Sequence, residues 1–180
     1  MLRLSSKKFV SILIAGLVFF ILQNFPLQKI SPKLIPKSKN DNKSFLVKRV
    51  IDGDTIELEN KQIVRYIGVD SPELHHPKKP VECFASSAAE FNRQLVEGKT
   101  VLLEKDVSET DKYKRLLRYV YLTEEASSSG KIFVNKKLVE EGYAYAATFP
   151  PDVKYAEIFR QAQEEAMKNK RGLWKSCKIK

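Results

Sequence analysis

The chain has 180 residues, 43% of them hydrophobic and 30% charged, enough for one ordinary core and a small appendage, which excludes a disordered chain and a polytopic membrane protein. Its formal net charge of +10 points toward a polyanion, but residues 1–40 hold seven of the cations and no acid, leaving 25 basic residues against 22 acidic ones from position 41 onward. A net +3 excludes coating nucleic acid by bulk attraction, so any phosphate chemistry must come from individually placed residues.

Arg3, Lys7 and Lys8 precede Phe9 to Leu22, a run of 14 uncharged residues interrupted only by Ser11 and Gly16. The pattern predicts an N-terminal hydrophobic helix, a signal peptide or signal anchor over 1–27. The run is shorter than the roughly 20 residues of a spanning helix. No small-residue cleavage site follows Leu22, however, so an uncleaved anchor through Leu27 fits slightly better, with residues 9–27 in the membrane. Lys29, Lys33, Lys37 and Lys39 balance the basic residues before the run, which leaves orientation open. Residues 28–43, rich in Lys, Pro, Ser and Asn, read as a tether to a domain over 44–180. The two cysteines, Cys83 and Cys177, have neither C-x-x-C nor zinc-finger spacing. One disulfide is the natural expectation in an oxidising compartment, and two free thiols the expectation in a reducing one. Together these features predict an extracytoplasmic protein, membrane-anchored or secreted.

Phe45–Val50, Thr55–Leu58 and Gln62–Gly68 read as three strands by their β-branched content, separated by Asp-Gly and Glu-Asn-Lys turn signals. Phe84, Ala88, Phe91 and Leu95 recur at helical spacing before Gly98. Thr100–Glu104 and Leu116–Leu122 read as two further strands. Asn135 is placed to cap a short helix with Leu138 and Val139 that ends at Gly142, and a last helix carries Tyr155, Phe159, Ala162 and Ala166 and ends before Gly172. The order predicts an α+β fold: a five-stranded OB-type β-barrel with three helices.

Three polar stretches carry the chemistry. Ile51-Asp52-Gly53-Asp54-Thr55 alone signals only a tight turn. Arg65-Tyr66-Ile67-Gly68-Val69-Asp70-Ser71-Pro72-Glu73 runs an arginine-bearing strand into a turn with two carboxylates, and Asp111-Lys112-Tyr113-Lys114-Arg115 sets a second arginine before a strand. Jointly they supply what phosphodiester hydrolysis needs. Asp54 and Asp70 suit Ca²⁺ or a similar oxygen-preferring ion, and Glu73 suits a general base for water. Arg65 and Arg115 present the planar donor pair that grips nonbridging phosphate oxygens. Zinc is disfavoured, because His75 and His76 are adjacent and no third nitrogen or sulfur ligand is suitably spaced.

These segments, with His76-Pro77-Lys78-Lys79 and the closing Gly172-Leu173-Trp174, occur in the order of the thermonuclease family, whose prototype is staphylococcal (micrococcal) nuclease. The resemblance covers roughly Phe45 to Trp174. It implies a calcium-dependent endonuclease, with one Ca²⁺ ion, that cleaves the 5′ P–O bond of DNA and RNA and leaves 3′-phosphates. Asp54 and Asp70 match its calcium carboxylates, and Ser71 stands where the prototype has a threonine whose backbone carbonyl is a ligand. Glu73 matches the base, and Arg65 and Arg115 match the phosphate-binding arginines.

Lys114 replaces the glycine usual before the second arginine, a change that bears on the loop presenting Arg115. The hairpin between Asp54 and Arg65 is expected to have a trimmed tip. Lys78, Lys79, Tyr113, Tyr143 and Tyr145 are candidates for substrate contacts, although the prototype's base-stacking tyrosines find no counterpart in register at Tyr143, Tyr145 and Phe149. The alternative is a noncatalytic OB-type nucleic-acid-binding module, against which the retention of all five reactive side chains argues. Nothing in the sequence calls for a protein partner, and a monomer is expected.

Overall fold

The computed structural model describes residues 44–75, 78, 80–123 and 130–178. The apolar segment within 1–27, the tether over 28–43, His76, Pro77 and Lys79 lie outside the described residues. Among the described residues no helix is long and apolar enough to cross a membrane.

Antiparallel pairing begins where Asp-Gly reverses the chain. Strand β1 (Ser44–Asp52) pairs with β2 (Thr55–Leu58) through Val50 opposite Ile56 and Asp52 opposite Thr55. The next turn, Glu59 to Gln62, carries the hairpin into β3 (Ile63–Tyr66) through two backbone bonds, Leu58 N–H to the Gln62 carbonyl and Lys61 N–H to the Leu58 carbonyl. Strand β5 (Thr100–Glu104) continues from the other edge of β1, and β6 (Leu116–Thr123) from β5. Closure comes from a parallel seam of β3 on β6, with Val64 opposite Leu116 and Arg65 opposite Leu117. Five strands in the order β3-β2-β1-β5-β6 thus make a closed OB-type barrel. Val47, Ile56, Leu58, Val64, Tyr66, Val101 and Val120 are buried within its cluster.

Four differences from the sequence reading have local causes. The third strand stops at Tyr66, because Gly68 takes a left-handed φ of 79° and any Cβ there would lie 2.2 Å from the Phe159 ring. The chain then restarts as β4 (Val69–Asp70), which pairs with β8 (Tyr145–Ala146), two strands too short to show a period in sequence. A three-residue strand β7 (Lys131–Phe133) extends β6 outside the barrel. The single-turn helix α4 (Leu173–Ser176) follows Gly172, and Cys177, just beyond it, is bonded to Cys83.

The three longer helices are α1 (Ala85–Val96), α2 (Val134–Glu140) and α3 (Ala156–Lys168). Helix α3 buries Phe159, Ala162 and Ala166 on one stripe. Helix α1 buries Ala88 and Ala89, and its fully buried Asn92 accepts a hydrogen bond from the Tyr66 hydroxyl and donates one to the Asp52 carbonyl.

Asn135 is not the cap of α2. The helix starts at Val134 after an extended Phe133, without any side-chain cap, and Asn135 is fully buried. Its amide accepts from Val120 N–H at 2.8 Å and donates to the Ile67 carbonyl at 2.8 Å, joining β6 to the turn after β3. Asn135→Ala is expected to cost about 2–3 kcal/mol, because two buried backbone groups would lose their partners. Denaturant titration followed by the fluorescence of Trp174, the sole tryptophan, checks this.

Candidate active site

The site starts at the Asp-Gly turn. Gly53 N–H bonds the Asp52 carboxylate at 2.7 Å, and the backbone here lies so close to the segment after β4 that a Cβ on Gly53 would sit 2.6 Å from that of Ser71. Only glycine lets the two segments meet. Their contact places Asp54, only 4% exposed, so that its Oδ2 accepts Ser71 N–H at 2.7 Å and its Oδ1 accepts the Thr55 hydroxyl at 3.0 Å.

Arg65, near the end of β3, reaches across this junction. Its Nη2 lies 3.1 Å from Asp54 Oδ2 and 2.7 Å from Asp70 Oδ1, and its Nη1 donates to the carbonyls of Tyr66 (2.9 Å) and Val69 (2.7 Å). Two carboxylates from separate strands thus converge on one cationic nitrogen. Glu73 follows in the same segment, with its Oε1 accepting His75 N–H at 3.1 Å.

The electrostatics of the cluster are set first by burial and then by neighbouring charge. Burial raises the pKa of Asp70 above its ordinary value; Arg65 opposes the shift, and the charges of Asp54, Glu82 and Glu73 add to it. Asp52 is pushed up to about 6, chiefly by burial, against the bond from Gly53 N–H and with the charges of Asp54 and Glu73 adding to the rise. Asp52 has no role in the sequence motif, and its half-burial beside the charges of Asp54 and Glu73 is what makes it part of the cluster.

The second arginine is aimed by the loop before β6. Asp111 accepts the backbone N–H groups of Tyr113 (2.9 Å) and Arg115 (3.0 Å) and, through its other oxygen, Arg115 Nε at 2.6 Å. Burial alone would raise the Asp111 pKa, but the bond from Arg115 and these backbone donors overcome it and hold the carboxyl below its ordinary value. Lys114 keeps the left-handed conformation that suits glycine, with φ 65°, and its N–H closes the turn on the Asp111 carbonyl. The departure at Lys114 is therefore absorbed as backbone strain of order 1–2 kcal/mol.

Arg65 and Arg115 line one groove of about 570 Å³, together with Gly68, Asp111, Tyr113 and Phe149. Tyr113 and Phe149 are each 68% exposed, and the Arg115 guanidinium lies 5.4 Å from the centre of the Tyr113 ring. Exposed aromatics beside two arginines form a surface on which bases can stack. Tyr143 does not line this groove: its ring stacks on Phe91 at 4.1 Å and on Phe84 at 5.3 Å. Tyr145 pairs with Asp70 across β4 and β8 and meets Trp174 edge-on at 5.4 Å. Lys78 is exposed, and His75 is exposed beside Glu73. Phe149 is a groove residue without a role in the sequence reading, because the turn placing it, from Phe149 to Asp152, carries no periodicity.

Whether the residues suit a metal ion follows from their donors. Among the described residues no group of three or more His, Cys, Asp or Glu side chains is arranged to hold a metal. The available set is two carboxylates that already converge on a cation and the main chain at Ser71. Among the described residues all of these donors are oxygen, which suits a hard ion that keeps several waters better than a closed zinc site of nitrogen and sulfur ligands.

A closed five-stranded barrel whose seam sets Arg65, held on Asp54 and Asp70, in one groove with Arg115 defines an OB-fold protein with a charged cleft at its barrel seam. Residues 63–176 match the model of the staphylococcal nuclease homologue family. The chain is 41% identical over 143 residues to a thermonuclease of Staphylococcus intermedius, covering 77% of this chain and 81% of that protein. It is 39% identical over 140 residues to a thermonuclease of Staphylococcus hyicus (76% and 79%), and 38% identical over 146 residues to endonuclease YncB of Bacillus subtilis (77% and 66%). The protein belongs to the staphylococcal nuclease family.

Proposed function

We propose that this protein is an endonuclease that hydrolyses phosphodiester bonds of DNA and RNA with one calcium ion, breaking the 5′ P–O bond and leaving 3′-phosphates. The observation that carries the reading is Arg65, which spans Asp54 and Asp70 and lines the same groove as Arg115. The thermonucleases and the endonuclease at about 40% identity support it.

Asp54, Asp70 and the Ser71 carbonyl would hold the calcium. When bound, the ion supplies positive charge to a phosphoryl oxygen and orients water. The side chains do the rest. Arg65 and Arg115 bind the nonbridging oxygens and stabilise the extra negative charge of the five-coordinate transition state. Glu73 takes the proton of the attacking water as its oxygen bonds to phosphorus. The bond to the 5′ oxygen breaks, that oxygen takes a proton from solvent to end as a hydroxyl, and Glu73 returns its proton to solvent, so one water is consumed at each cut. Tyr113 and Phe149 flank the phosphate groove as stacking surfaces for neighbouring bases.

The purified domain is expected to degrade denatured DNA in calcium and to stop when excess chelator is added. Cleavage unaffected by chelator would remove the metal from the mechanism, and binding without cleavage would establish the noncatalytic module. We place the enzyme outside the cytoplasm, secreted or held through residues 9–27. The bond between Cys83 and Cys177 supports this placement, since structural disulfides persist in oxidising compartments. Surface biotinylation of intact cells tests it.

A further inference from the structure

Glu73 leaves β4 on a loop with no regular secondary structure, and a base on such a loop needs something to hold it. The described contacts identify the holder. The backbone N–H of Glu73 donates to Glu82 Oε2 at 3.0 Å, and the backbone N–H of Glu82 returns a bond to the Glu73 carbonyl at 3.0 Å. These reciprocal bonds close the loop at its two ends. The residue after Glu82 is Cys83, covalently tied to Cys177 beyond α4, and α1 begins two residues later at Ala85.

From this geometry we propose that Glu82 is a positioning residue for Glu73, and that the Cys83–Cys177 bridge anchors it. The proposal rests on the reading of Glu73 as the base. Glu82 holds Glu73 through an acceptor oxygen, separately from the effect of its charge on Asp70: a carboxylate oxygen or an amide oxygen at the same place would take the Glu73 N–H equally. The bridge fixes the chain at Cys83, so the distal post of the clamp is fastened to the C-terminal segment as well as to α1. Without the Glu82 side chain the Glu73 N–H loses its acceptor, and only the return bond from Glu82 N–H and the neighbouring bond between Leu74 N–H and Asp52 still hold the loop, so the Glu73 carboxylate is positioned less closely and proton transfer slows without loss of a phosphate contact. The effect therefore belongs in kcat rather than KM.

The test compares Glu82→Ala, Glu82→Gln and the double variant Cys83→Ser with Cys177→Ser, on denatured DNA in calcium, below the unfolding transition of each protein. Glu82→Ala is expected to lower kcat by ~10-fold with KM changed less than twofold, since a displaced catalytic group costs rate while the binding surface stays intact. Glu82→Gln is expected to recover most of that loss, and the bridge-less variant to lose kcat in the same sense. Amide hydrogen exchange at Glu73, read by NMR without substrate, is expected to quicken in Glu82→Ala and in the bridge-less protein but not in Glu82→Gln.

Unchanged kcat and unchanged Glu73 exchange in Glu82→Ala would overturn the clamp, as would a loss that glutamine fails to rescue. Unchanged values in the bridge-less protein would overturn the anchoring role of the disulfide. An inactive wild-type protein would defeat the nuclease reading instead, and the exchange rates would still decide the clamp.

Discussion

Arg65→Lys is expected to lower kcat on denatured DNA by ~10² to 10³-fold, the range seen when one transition-state donor is removed. The guanidinium uses two nitrogens on four acceptors: two carboxylates through Nη2 and two carbonyls through Nη1. An ammonium offers three donors from a single point and cannot span that set, so lysine would either follow the carboxylates or the turn carbonyls. The same substitution leaves buried Asp54 short of its ion-pair partner, and a loss of stability should accompany the loss of rate. Steady-state kinetics at a temperature where the variant is folded, with urea titration alongside, separates the two effects. A variant that keeps wild-type kcat would show that Arg65 serves the fold alone.

Glu73→Gln carries the second large effect, with kcat expected to fall by ~10² to 10⁴-fold, the contribution typical of a positioned general base. Here the fold should not suffer. Glu73 is only half-buried, its side-chain oxygen meets a single backbone N–H at His75, and an amide oxygen can accept that bond as well as a carboxylate can. The pair of variants is therefore diagnostic: one should lose rate and stability, the other rate alone. Equal turnover by Glu73→Gln would remove this side chain from the chemistry and leave water activation to other groups.

Much of the candidate site was legible in sequence because each of its candidate side chains sits beside a local signal. The Asp-Gly turn marks Asp54, a strand running into Ser-Pro marks Asp70 and Glu73, and a polar loop before a strand marks Arg115. All five barrel strands announced themselves through β-branched content. What was hidden depends on contacts between distant segments. Asn135 has the residue type and position of a helix cap, yet its amide is claimed by the backbone of Val120 and Ile67, which no local pattern encodes. The pairing of β4 with β8 rests on two residues from each strand, below the length at which alternation becomes visible. Phe149 and Tyr143 are both aromatics in one stretch of chain, and only tertiary packing sends the first to the groove and the second against α1.

The parallel seam between β3 and β6 has a consequence for when the enzyme can exist at all. Arg65 lies in one of the seam strands, opposite Leu117, and Arg115 immediately precedes the other. These two strands are separated by the whole of β4, α1 and β5, so their pairing closes a long loop and is an entropically demanding contact. Until that pairing forms, Arg65 and Arg115 do not share their groove, so on the reading proposed above the site is complete only once the barrel has closed.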